Sequence, residues 1–258
     1  LKRIRGGSGL GDAIYQRPIA EHFVRLGEQV VVCSDQPDVF TGSCAEVQPF
    51  RRDNIDVLAH YVGGKNNPNT NQWQDVCASA GVDVPLSFQW TVKNQAMVED
   101  FRHMAAGKPV VLVHGGRAPM ARTDGFGAEL LPQRHAFDAA LDALQQDCFL
   151  IEVGKGTELY PLRADIDLNG RTSVHDLFDL AWMCDAVVGQ CSFVVPLAEC
   201  FDKPLLAIWA AHGMQANRHP YIKAITPQKI LSKPTSTFVV DDWPVEQIQE
   251  VVRAFCPV

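Results

Sequence analysis

Four glycines fall within six residues at Arg5-Gly6-Gly7-Ser8-Gly9-Leu10-Gly11-Asp12, directly after a short basic-apolar run from Leu1 to Arg5. A helical pattern follows at once, with Ile19, Phe23 and Leu26 at i, i+4 and i+7. A strand, a glycine turn and a helix in that order let the backbone come close to a ligand and aim helix N–H groups at it. The spacing does not match G-x-G-x-x-G, and no Gly-Lys-Ser/Thr follows, so neither a dinucleotide fingerprint nor a P-loop is present. Read locally, Asp12 is either the acid that closes the turn as a helix cap or a carboxylate held at the mouth of a cleft.

The rest of the chain repeats the alternation. Val30–Ser34 and Asp56–Val62 are apolar runs expected as buried strands, and Pro85–Trp90 is a weaker one. Gly63–Gln72 is polar, rich in Gly and Asn, and reads as a surface loop. Asn94–Met104 has helical spacing. The stretch Ala105–Pro109 breaks the pattern and places a domain boundary near residue 106. Val110–Val113 then runs into His114-Gly115-Gly116-Arg117, a second junction like the first. Further strands end at Gly154-Lys155-Gly156 and Gly189-Gln190-Cys191-Ser192, and Leu205–Trp209 and Thr237–Val240 complete the series. Near-continuous apolar strands between helices point to parallel sheets covered on both faces. The expected architecture is α/β: residues 1–105 and 106–240 as two Rossmann-like, doubly wound parallel-sheet domains facing a cleft. Residues 241–258 are expected to be a C-terminal helix packing back towards the first domain, with Val245, Ile248, Val252 and Phe255 on one face. Ligands bind beyond the carboxyl ends of the strands in such sheets.

Composition narrows the function. No apolar run in the 258 residues reaches the length of a membrane span, and no signal-peptide pattern is visible. The eight cysteines include no C-x-x-C pair, and His114, His212 and His219 lack metal spacing. Both features fit a reducing, cytoplasmic compartment and no bound metal. A formal net charge of −7 gives no support to broad electrostatic binding of nucleic acid, although a local basic cleft is compatible with it.

Three segments in order resemble the heptosyltransferase-like glycosyltransferases, family 9 of the GT-B class. Gly9-Leu10-Gly11-Asp12-Ala13-Ile14 with Pro18 is similar to the family's S-L-G-D-x-x-x-x-x-P. Asn169–Ser173 leading into Asp185–Gly189 is similar to its G-K-T-S-L and A-D-L-V-V-G. Cys191-Ser192 through Lys203-Pro204 matches D-S-G-P-x-H-L-A-A-A-L-G-K-P in length and at Ser192, Leu197, Ala198, Lys203 and Pro204. The chain departs from that pattern with Cys191 for the acid, Phe193 for the glycine and Pro196 for the histidine.

The resemblance implies a GT-B-like fold and an inverting, metal-independent transfer of a sugar from a nucleotide-sugar donor, with no other cofactor. It makes Asp12 the general base. Arg117, Arg122 and Lys155 suit diphosphate oxygens. Ser192, with Gln190 beside it and the N–H groups of the following helix, suits a phosphate. Gly9 and Gly11 let the donor approach, and Glu199 suits the ribose hydroxyls. Arg51 and Lys65 are placed to touch an anionic acceptor. The acceptor is a glycan or, for a phage-derived chain, a hydroxymethylated base in DNA. Two alternatives stay open: a sugar-nucleotide epimerase on the same plan, and a non-catalytic nucleotide- or glycan-binding protein.

Overall fold

The structure is a computed structural model that describes residues 1–51, 53–61, 69–115, 132–156, 161–211 and 226–255. The expected ligands Lys65, Arg117 and Arg122 lie outside them. Two all-parallel sheets carry the chain. The first has strands β1 (Lys2–Arg5), β2 (Val30–Cys33), β3 (Glu46–Gln48) and β4 (Val57–Leu58), in the order β3-β2-β1-β4. The second has β5 (Val110–His114), β6 (Phe149–Glu152), β7 (Ile166–Asp167), β8 (Ala186–Gln190), β9 (Leu205–Trp209) and β10 (Ser236–Val240), in the order β10-β9-β8-β5-β6-β7. Each sheet reverses its strand order once, between β1 and β4 and between β5 and β8. A crevice opens at such a reversal, because the connections leave in opposite directions.

The helices are α1 (Leu10–Arg25), α2 (Gln72–Ala80), α3 (Gln95–Ala105), α4 (Arg134–Leu144), α5 (Val174–Met183), α6 (Val194–Cys200), α7 (Pro227–Ile230) and α8 (Val245–Phe255). Their ends follow from local chemistry. Asn71 and Gln74 exchange side-chain and backbone hydrogen bonds at the start of α2, as Ser173 and Asp176 do at α5. Gly81 ends α2 at φ 69°, a left-handed conformation that favours glycine.

Three expectations are corrected. Within the described part of the run Asp56–Val62, residues 56–61, only Val57–Leu58 joins a sheet. Pro85–Trp90 forms no strand, because its residues are used to join the two halves. The C-terminal helix does not return to the first domain: Ile248 and Val252 of α8 are buried in one apolar core with Phe137 and Leu141 of α4, on the second sheet. Its apolar face is satisfied locally once α4 offers a complementary one.

The halves are joined by a continuous core that runs from Ile4, Ile14 and Val32 to Leu112, Phe178 and Leu197. Phe88 stacks on Phe178 at 5.7 Å and meets Phe201 edge-on at 5.3 Å. Buried Asp179 of α5 accepts hydrogen bonds from Trp90 Nε1–H (2.7 Å) and from the N–H groups of Lys93 and Asn94. Arg102 of α3 donates to the Met183 carbonyl at 2.7 Å. The segment from Phe88 to Ala105 therefore packs against α5 of the second half, upstream of the boundary expected near residue 106. Arg17 of α1, buried under Phe88 and Trp90, donates to the carbonyls of Val39 (2.7 Å) and Gln89 (2.9 Å) and so ties the first half to this crossover. Farther round, Lys229 of α7 is 2.5 Å from buried Asp75 of α2.

Candidate active site

At the reversal of the first sheet, the glycine turn is moulded around Asp12. A Cβ on Gly7 would stand 2.3 Å from Asp12 Oδ2, so only glycine leaves room for the carboxylate. Asp12 Oδ2 accepts the Gly9 N–H at 3.2 Å, and Asp12 sits at the third position of α1. The helix therefore begins with its own acid turned back over the turn. Gln16, fully buried one turn later, donates from Nε2 to the Gly7 carbonyl at 3.1 Å and holds the turn against β4. His60, just past β4, brings Nε2 to 3.9 Å from Asp12 Oδ1 and stacks on Tyr61 at 4.2 Å. Burial, with the nearby charge of Arg5, lowers the His60 pKa to about 4. The ring is neutral at pH 7, so it faces Asp12 as a dipole and not as an ion-pair partner.

At the reversal of the second sheet, His114 ends β5 and its Nδ1 lies 3.1 Å from Ser192 Oγ. The imidazole also meets Phe193 edge-on at 4.6 Å. Gly189 is squeezed between Val194 and His114: an added Cβ would be 2.7 Å from Val194 Cγ2 and 2.9 Å from the His114 carbonyl oxygen. Gln190 is buried at the end of β8, and among the described residues its Oε1 meets no hydrogen-bond donor. Cys191 follows. Burial pushes its thiol up to about 12, so it stays protonated where the resembling family has an acid. Lys155 is exposed beyond the end of β6, at the same carboxyl edge.

The two reversals meet. Gly11 of α1 lies against the start of α6, and a Cβ there would be 3.3 Å from Phe193 Cα and 3.6 Å from Pro196 Cγ. Asp12 follows Gly11 in the chain and Ser192 precedes Phe193, so the two chain segments that carry these residues pack against each other at this contact. Gly11, expected to admit the donor, instead admits the backbone of the opposite half. Gly9, expected in the same role, caps α1 with its N–H turned to Asp12.

Glu199 is a clearer departure. It is fully buried, with Oε1 accepting the N–H groups of Ser232 (2.7 Å) and Lys233 (3.2 Å) and the Ser236 hydroxyl (2.9 Å). Its Oε2 accepts the Ser232 hydroxyl. The carboxylate closes the loop before β10, and no oxygen is left over for a ribose. Arg51 is exposed and donates to Gln48 Oε1 at 2.6 Å. Sequence reasoning missed His60, Gln16 and the pairing of His114 with Ser192. The available signal was the place of His114 and Ser192 just past apolar runs; His60, inside a run, and Gln16, inside a helix, carried none.

The fold has close counterparts among solved structures. Heptosyltransferase II of E. coli, described as an ADP-heptose lipopolysaccharide heptosyltransferase, superposes with a TM-score of 0.63 over 99% of this chain and 98% of its own, at 13% identity. This is the heptosyltransferase fold. A family 9 glycosyltransferase from Veillonella parvula matches with a TM-score of 0.56 over 100% of this chain and 89% of its own, at 10% identity. E. coli heptosyltransferase WaaC with ADP matches at 0.55 over 98% and 97%, at 11% identity. The expected pair of Rossmann-like sheets in a GT-B-like arrangement is thus present. The sequence matches no protein-family profile and no curated protein. Among the described residues, no helix is long and apolar enough to cross a membrane.

Proposed function

We propose that the protein is a glycosyltransferase that moves a sugar from a nucleotide-activated donor to an acceptor hydroxyl, with inversion and without a bound metal, in the cytoplasm. The observation that carries this reading is the Gly11–Phe193 contact, which packs the glycine turn that carries Asp12 against the strand end that carries Ser192. The structural neighbours include a heptosyltransferase with ADP, which supports a nucleoside diphosphate as the donor's leaving portion.

Asp12 takes the proton of the acceptor hydroxyl as that oxygen bonds to the anomeric carbon. The bond from the anomeric carbon to the diphosphate oxygen breaks on the opposite side, and the nucleoside diphosphate leaves with the electron pair. The Gly9 N–H holds Asp12 Oδ2, and the neutral His60 ring, stacked on Tyr61, limits water around the carboxylate. Ser192, oriented by His114, and Lys155 receive the diphosphate. The amide of Gln190 supplies a further polar contact to the donor.

Asp12→Asn tests the reading. Asparagine keeps the size of the side chain and an Oδ1 that can accept the Gly9 N–H from the third position of α1, so the melting temperature and ADP binding are expected to hold. Transfer is expected to fall by ~10²–10⁴-fold, since an amide cannot take the proton. Near-normal turnover would move the base elsewhere. Cys191 and Pro196, which stand where the resembling family has an acid and a histidine, favour a second reading, a protein that binds nucleotide sugars without turning them over. A panel of nucleotide sugars with and without glycan acceptors separates the two: product supports transfer, and saturable binding without product supports the second.

A further inference from the structure

His60 and Asp12 face each other across the mouth of the glycine turn. His60 Nε2 lies 3.9 Å from Asp12 Oδ1, and both side chains are partly exposed, so a small molecule can reach them. That separation is too long for a direct hydrogen bond. It suits two groups that share one oxygen between them, since a hydroxyl about 2.8 Å from each would span it.

Both arms of this pair are held in place. The Ala59 N–H, one residue before His60, donates to the Arg5 carbonyl at 2.7 Å, which fixes the chain after β4 to the strand that feeds the turn. Tyr61 stacks on the imidazole at 4.2 Å with 27° between the planes. On the other arm, the Gly9 N–H holds Asp12 Oδ2 at 3.2 Å, while Oδ1 is the oxygen on the His60 side. Gln16 of α1 ties the Gly7 carbonyl down at 3.1 Å, so helix and turn keep one geometry.

The two groups are complementary towards an alcohol. A carboxylate only accepts hydrogen bonds, and a neutral imidazole carries one N–H. Burial and the charge of Arg5 keep His60 neutral at pH 7. A hydroxyl between them donates to Asp12 Oδ1 and accepts the Nε2–H with one lone pair, leaving the other for the anomeric carbon. A cationic imidazole would instead pair with Asp12 and weaken it as a base. We propose that His60 is a catalytic residue that, with its proton on Nε2, grips the acceptor hydroxyl oxygen together with Asp12 and aims it at the anomeric carbon. Asp12 takes the hydroxyl proton as the oxygen bonds to that carbon, and the nucleoside diphosphate leaves with the electron pair. His60 keeps its own proton, and its N–H faces the negative charge that builds on the attacking oxygen. The inference rests on the transferase reading for the reaction, but the two-point hydroxyl site does not.

A crystal structure of the full chain reads the site itself, with water standing in for the acceptor hydroxyl. A water oxygen within about 3.2 Å of both Asp12 Oδ1 and His60 Nε2 is expected. A direct His60–Asp12 hydrogen bond, or no shared oxygen, overturns the site. Transfer kinetics read the chemistry. His60→Phe keeps a ring to stack on Tyr61 and removes the N–H, whereas His60→Gln gives up the ring and places an amide N–H near the position of Nε2. At unchanged melting temperature and ADP affinity, His60→Phe is expected to lose at least ~10-fold in kcat/KM for the acceptor, and His60→Gln to retain most of it. A ring that only packs predicts the opposite order. Equal losses in the two variants, or wild-type transfer by folded His60→Phe, overturn the catalytic role. Failure of the transferase reading looks different: the wild-type protein turns over no nucleotide sugar with any acceptor, while the shared water remains.

Discussion

Gly7→Ala examines the placement of Asp12 without touching Asp12. The new Cβ would stand 2.3 Å from Oδ2, 2.4 Å from Cγ and 2.7 Å from Oδ1 of that residue. Restoring ordinary contact requires the carboxylate to retreat by about 1 Å. The obstacle is the end of a rotatable side chain, so the backbone can stay in place. The fold loses one long hydrogen bond, from the Gly9 N–H at 3.2 Å, costing roughly 0.5–1.5 kcal/mol. Replacing glycine by alanine returns about 0.4–1 kcal/mol by restricting the unfolded chain. The two nearly cancel, and the melting temperature is expected to stay within about 4 °C. Catalysis has no such compensation, because a displacement of about 1 Å is worth roughly 10²-fold in rate, or about 2.7 kcal/mol of barrier. Gly6→Ala is the contrast: its Cβ would lie 2.6 Å from the carbonyl oxygen of Ala59, backbone that cannot rotate away. That variant is expected to lose about 1–3 kcal/mol of stability. Transfer rates and melting curves on both variants decide the matter. Wild-type turnover in a folded Gly7→Ala protein would refute the claim that the Asp12 carboxylate must occupy this space to act.

Other perturbations separate structure from chemistry. Glu199→Ala strands the four donors that its buried carboxylate receives; it is expected to cost about 3 kcal/mol or more, read in a urea titration, and a selective change in donor KM at unchanged stability would contradict this. Lys229→Met leaves Asp75 buried without its cation and is expected to cost roughly 3–5 kcal/mol, with much of the loss recovered when Asp75 is also replaced by an apolar residue. The His60 pKa is lowered to about 4 from an ordinary 6.5. The unfolded chain therefore takes up a proton that the folded one refuses as pH falls from about 6.5 to about 4, and stability should decline across that window and level off below it. His60→Gln should flatten that slope in denaturation curves measured against pH, and an unchanged slope would assign it to other groups.

Much of the design is legible in the chain itself. Apolar runs such as Val30–Ser34, Val110–Val113 and Leu205–Trp209 read as strands buried on both faces, and their alternation with helical spacing points to parallel sheets, which the structure has. The crowding of glycines before Asp12 announces a turn that must admit something close. These are local signals, carried by neighbours in sequence. What the glycines admit is not local. Gly7 makes room for the side chain of Asp12, Gly6 for the Ala59 carbonyl, and Gly11 for Phe193 of the opposite half, and none of these partners can be read from spacing. Glu199 shows the same limit. An acid on a short helix after a strand end looks like a ligand group until the loop at Ser232–Ser236 folds over it. The apolar face of α8 was plain in the sequence, but its partner was not, since α4 lies more than a hundred residues earlier. Periodicity determines which residues an element must bury. Only the packing of distant elements decides what they are buried against, and whether a charge is left facing a cleft or a hydrogen-bond donor.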